Sequence, residues 1–101
     1  MAFGLRLKKC AEAAGMSVAD LSVWFSRPYA TVRVWHAGTY EPWAPFRKEA
    51  LDRLFLLERL VKAGKHLPIP VDLSPSERRD YITRLKDEQL NASVSKAGAA
   101  G

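Results

Sequence analysis

The side chains able to do chemistry in this chain are few, and most of them are cations. There is one cysteine, Cys10, and two histidines, His36 and His66, far apart in sequence. One cysteine cannot build a disulfide framework, and nothing here has the Cys/His spacing of a zinc site. Cys10 is expected as a small buried hydrophobe, and both histidines are expected at the surface or in loops. There is no Gly-rich phosphate loop and no Ser/His/Asp or Cys/His set. An enzyme is therefore not expected, nor is a metal, a cofactor or a small-molecule site. The acid pairs Glu49/Asp52 and Asp87/Glu88 sit beside Arg53, Arg84 and Lys86 and read as helix-surface ion pairs.

What remains is positive charge, and it is uneven. The 101 residues hold 16 Lys and Arg against 11 Asp and Glu, a formal charge of +5. Residues 1–48 hold seven basic side chains against three acidic, and residues 49–101 hold nine against eight. The excess in the first half suggests an anionic partner there, most commonly nucleic acid, although a solvated basic surface would give the same count. Within that half Arg33 has the most to offer, because a guanidinium can donate two hydrogen bonds to O6 and N7 of guanine.

Positioning such a residue requires elements, and the spacing predicts five helices with no strand signal, an all-α fold. A first helix is expected over Phe3–Ala14, with Phe3, Leu7, Cys10, Ala11 and Ala14 on one apolar face and Gly15 as its stop. Ser17 and Asp20 form a variant capping box for a short second helix, about Val18 to Phe25, with Leu21, Trp24 and Phe25 inside. Pro28 keeps Arg27 out of helical geometry and is expected to open a third short helix, Pro28 to Ala37, ended by Gly38. Val32 and Trp35 should face the core, leaving Tyr29, Ala30, Arg33, Val34 and Ala37 outward. A loop with Pro42 and Pro45 follows, in which Trp43 is expected to pack beneath the next helix. That fourth helix, Pro45 to about Ala63, is apolar over more than one stripe, so it should fill the domain centre or meet another chain. Residues 65–74 read as a Pro-rich linker, Ser74–Glu77 as a capping box for a C-terminal helix over 75–91, and 92–101 as a disordered tail.

At 48% hydrophobic and 27% charged residues the chain reads as globular, with one modest core. No stretch approaches the ~18 apolar residues of a membrane span, and no secretory h-region is visible, so a cytoplasmic, nucleoid-associated protein is expected.

A short helix, a tight turn and a second short helix is the shape that can lay one helix in the major groove of DNA. The run SVADLSVWFSRPYATVRVWHAGTYEP resembles the phage-repressor-type (Xre-like, lambda-repressor-like) helix-turn-helix family. Leu21 stands at the core leucine of helix two, Ser26 at the small turn residue, Thr31-Val32 at the usual Thr-Ile, and Trp35 at the tryptophan that packs helix three. Gly38 and Pro42 stand where the family leaves that helix. The resemblance covers roughly residues 3–60. It departs at Ser22, where alanine is usual, at His36, where glutamate is, and at Pro28, where a capping serine is common. Helix four is also longer and more apolar than the family's.

The resemblance implies Tyr29, Ala30 and Val34 as base-reading positions, with Arg33 beside them on the same face. Ala30 and Val34 can touch a thymine methyl, and Tyr29 can reach a base or a phosphate. Arg27, Thr39, Tyr40 and either Arg6 or Lys9 would hold the phosphate backbone. The expected protein is thus a sequence-specific double-stranded-DNA-binding regulator of bacterial or phage origin, with a DNA-binding domain over 1–64. A homodimer is expected because pairing doubles the site. Its contact would come from Leu54, Leu57 and Val61 on helix four, or from Tyr81, Ile82 and Leu85 on the last helix. Two other readings stay open: a packaging component resembling a phage small terminase, and a protein-binding adaptor or inhibitor, since Tyr29, Ala30, Val34 and Ala37 make a rather apolar outer face.

Overall fold

The computed structural model describes residues 2–100, with side chains described for 2–91. Its described residues form five helices: α1 (Phe3–Ala14), α2 (Val18–Phe25), α3 (Tyr29–Ala37), α4 (Ala44–Ala63) and α5 (Pro75–Ala100). The expected end of the last helix near Leu90 is passed by α5. The disordered tail expected over 92–101 lies outside the residues whose side chains are described.

Local chemistry explains the boundaries. Gly15 takes a left-handed φ of +67°, which lets its N–H return to the carbonyls of Ala11 and Glu12 and stops α1. The Ser17 hydroxyl accepts from the Asp20 N–H at 3.2 Å while the Asp20 carboxylate accepts from the Ser17 N–H at 2.8 Å, a complete capping box on α2. The same reciprocal pair joins Ser74 and Glu77 ahead of α5. Pro28 is extended, with ψ at 147°, so it caps α3 rather than opening it, and α3 begins one residue later than expected.

Leu7, Leu21, Trp24, Val32, Leu54, Leu57 and Ile82 are fully buried in a single core. Phe3, Phe25 and Trp35 meet edge to face with centroids 5.7–6.3 Å apart, which locks α1, α2 and α3 together. The Trp24 indole donates to the Arg53 carbonyl at 3.0 Å and so ties α2 to α4. α1 packs on α3 and α4, and α2 packs on α3, α4 and α5. Gly4 marks the tightest approach: a Cβ there would stand 2.6 Å from the Trp35 carbonyl oxygen.

Three expectations change here. Residues 65–74 are not a free linker, because Leu67 and Ile69 are buried and the Ile69 N–H bonds to the Ala14 carbonyl at 3.0 Å. The boundary at residue 64 also disappears. α5 contributes Ile82 and Leu85 to the same core, and its Arg78 donates to both Asp20 and the Gly15 carbonyl at 2.6 Å. Finally, Trp43 is 64% exposed and stands edge to face with Phe46, centroids 5.6 Å apart, so it does not pack beneath α4.

Among the described residues no helix is long and apolar enough to cross a membrane.

Candidate nucleic-acid interface

Two short helices, α2 and α3, are joined by Ser26, Arg27 and Pro28. Ser26 closes α2 with a left-handed φ of +54°, unusual for a residue with a side chain. Lys86 of α5 steadies it by donating to the Ser26 hydroxyl at 2.7 Å and to the Val23 carbonyl at 3.1 Å. Burial, and then the nearby Arg53 cation, hold the Lys86 ammonium below the usual lysine range.

This turn sets how α3 lies. Val32 and Trp35 are buried, and the opposite side carries Ala30 and Arg33, both exposed, with Tyr29 54% exposed. Val34 is half-buried, its inner side packed on the rim of the core. Pro28 offers no side-chain acceptor to the first turn of α3, and no acidic residue stands there. That end of the helix is therefore electropositive and open. Beyond Gly38, Thr39 and Tyr40 are exposed, and both their N–H groups turn back to the Val34 carbonyl.

The cations expected around this face separate into two groups. Arg27 is held beside it: its guanidinium lies 4.3 Å from the Phe46 ring centroid and pairs with Glu49 at 2.9 Å. Arg6 is not on this face. It grips Glu58 of α4 at 2.6 and 3.2 Å, and that bond raises its pKa further. The expectation of a phosphate contact there is corrected, because an arginine spent on a carboxylate across two helices is not free for a phosphate. Lys9 is exposed on the side of α1 opposite the buried stripe. Lys8 sits closer, lining a groove with Leu5, His36, Ala37 and Gly38 at the C-terminal end of α3. The sequence pattern did not single out Lys8 beside α3, and the acidic Glu41 lines the same groove. Gly4 was the available signal: a glycine inside a helix marks a close neighbour, and Lys8 lies one turn further along that flank.

Most of the dimer contact expected from the sequence lies in the core. Leu54, Leu57, Ile82 and Leu85 are buried in the chain's own core, and Val61 and Tyr81 are half-buried against it. The Tyr81 hydroxyl is also engaged, donating to the His66 carbonyl. These residues were legible as apolar, but their cover comes from this chain itself.

Burial pushes the Cys10 thiol up to about 11, so it is a neutral packing group at pH 7. Among the described residues no three His, Cys, Asp or Glu side chains gather as a metal site. One guanidinium nitrogen of Arg53 is buried without a partner near Phe25 and Trp35.

The chain matches no family model, no curated protein and no solved structure.

Proposed function

We propose that this chain binds double-stranded DNA sequence-specifically through α3, as a small bacterial or phage transcriptional regulator of the phage-repressor type. One observation carries the reading. Tyr29, Ala30 and Arg33 stand clear of the body on a helix whose opposite side is held by Val32 and Trp35. A helix with its side chains is ~10–12 Å across and the major groove is ~12 Å wide, so such a helix fits the groove.

In the proposed complex Arg33 donates to guanine O6 and N7, while Ala30 and the outer edge of Val34 meet thymine methyls. Tyr29, Thr39, Tyr40 and Lys8 fix the register on phosphates, and Arg27 lies beside them but is held by Glu49. Only cations release counterions, so Lys8 and Arg33 give a log affinity that falls with log salt at a slope of roughly −2. Leu54, Leu57, Ile82 and Leu85 are covered by the chain itself and Val61 and Tyr81 are half covered, so no two-fold contact through them is proposed.

The test is selection of bound duplexes from a random pool, followed by titration of the selected site and of unrelated DNA. Arg33→Ala is expected to weaken the selected site by about 1–3 kcal/mol and unrelated DNA much less. Equal losses on both would remove Arg33 as a base reader, and no duplex retained even at low salt would remove the proposal.

Glu49 gives an independent check. It holds Arg27 at 2.9 Å on the flank of the candidate face. Glu49→Gln frees that guanidinium and removes a repulsive carboxylate. It is expected to tighten DNA binding and to steepen the salt slope by about 0.9. An unchanged slope would place Arg27 away from the phosphates.

A further inference from the structure

α4 presents a second exposed surface, distinct in composition from the α3 face. Leu51 and Phe55 lie one turn apart on it and are 36% and 57% exposed. They are not isolated apolar residues on a mixed surface. Arg47 and Lys48 precede them and Arg59 and Lys62 follow them, all exposed, and the row Arg47, Leu51, Phe55, Arg59 runs at four-residue spacing along one side of the helix. The acids nearby do not balance these cations. Glu58 is taken by Arg6 at 2.6 Å, and Asp52 pairs with Lys48 at 3.3 Å between two well-solvated side chains. Glu41 lines a groove with Arg47 and Leu51 but accepts from the Phe3 N–H at 3.2 Å, while Arg47 donates through Nε to the Pro42 carbonyl at 3.3 Å and Arg59 and Lys62 stay exposed.

That arrangement discriminates among occupants. A second copy would meet it badly: antiparallel pairing centred between Leu51 and Phe55 sets Arg47 against the other copy's Arg59, and parallel pairing sets each cation against itself. A nucleic acid would use the cations but leave two large apolar side chains without a partner. An acidic amphipathic helix satisfies both features, with apolar side chains to cover Leu51 and Phe55 and flanking carboxylates for Arg59, Lys62 and the outer nitrogens of Arg47. Leu51 also lies about 160° around α4 from Glu49, which faces Arg27 and the start of α3. A partner on this flank therefore leaves the α3 face open.

We propose that the Leu51–Phe55 flank of α4 docks an acidic amphipathic helix of a second protein. The inference does not rest on DNA binding, and it can hold or fail separately.

The experiment is selection from a random library of peptides about 16 residues long, displayed on phage, against the immobilised full chain. Enriched peptides are expected to carry two large apolar residues three or four apart, flanked by Asp or Glu. The best of them, synthesised, should lose about 10-fold in affinity to Phe55→Ser and several-fold to Arg59→Glu. Its binding should also weaken as salt rises. Both substitutions fall on exposed side chains, so an unchanged thermal midpoint will show that the fold persists. Three outcomes overturn the proposal: no enriched peptide depends on Phe55; sedimentation shows self-association of the unaltered chain that Phe55→Ser abolishes, which makes the occupant a second copy; or duplex DNA protects this flank and loses affinity to Phe55→Ser.

Discussion

A chain ending at Gly64 is expected not to fold. The cut removes Leu67, Ile69, Ile82 and Leu85, all buried, and uncovers the side of α2 on which α5 packs. Burying each such side chain is worth about 1.5–3 kcal/mol, so the loss is on the order of 6–12 kcal/mol. A domain of this size is stable by only about 5–15 kcal/mol in total. The cut also takes Arg78 from Asp20, and Lys86 from the Ser26 turn that sets α3. Circular dichroism of the shortened chain should show no cooperative melting, and proteases should degrade it rapidly. Native helicity with a cooperative transition would instead make α5 an appendage and restore the boundary that the residue pattern suggests.

Breaking the clasp between α2 and α5 is expected to have the next largest effect. Asp20 is buried, accepts from Arg78 at 2.6 and 3.3 Å, and caps α2 at the same time. Removing one partner of a buried ion pair costs about 3–5 kcal/mol, and the cap adds about 1 kcal/mol. The Arg78 side chain is 22% exposed and can recover some hydration. Asp20→Ala is therefore expected to lose about 2–4 kcal/mol in urea denaturation, and Asp20→Asn somewhat less because it keeps a capping oxygen. A loss under about 0.5 kcal/mol would reduce the clasp to a surface ion pair.

The pH dependence of the clasp has a definite sign. Burial alone would raise the Asp20 pKa, but the hydrogen bonds from Arg78 and Ser17 outweigh it and hold the carboxyl below the usual aspartate range. A group whose pKa is lowered on folding stabilises the fold fully above its unfolded value and stops doing so as pH falls through the folded one. Acidification below the ordinary aspartate range should therefore destabilise the unaltered chain more steeply than Asp20→Asn. Parallel profiles would contradict this assignment.

The helix ends were legible in the sequence because their causes are local. Gly15, Gly38 and Gly64 supply left-handed stops, and Ser17/Asp20 and Ser74/Glu77 supply starts within four residues. The exposed α3 face was legible for a similar reason: Val32 and Trp35 occupy one side of a nine-residue helix, so the other side must face out. What each apolar or charged side chain meets across the fold was not legible. The breadth of apolar positions on α4 suggested two covers, yet Leu54 and Leu57 are the core side and Leu51 and Phe55 are open. Arg6 looked available for phosphate because its partner, Glu58, lies 52 residues away. Lys86 read as part of a charged helix face, but it reaches across to the turn before α3.

The central claim is that the outer face of α3 enters duplex DNA, and a nuclear magnetic resonance titration tests it most directly. Amide shifts of the labelled full chain would be followed as a mixed-sequence duplex is added at low salt. The account predicts that the largest changes run from Tyr29 to Tyr40 and extend to Arg27 and Lys8, with Leu51 and Phe55 unmoved. Changes centred on Leu51–Lys62, or none at any DNA concentration, would contradict it.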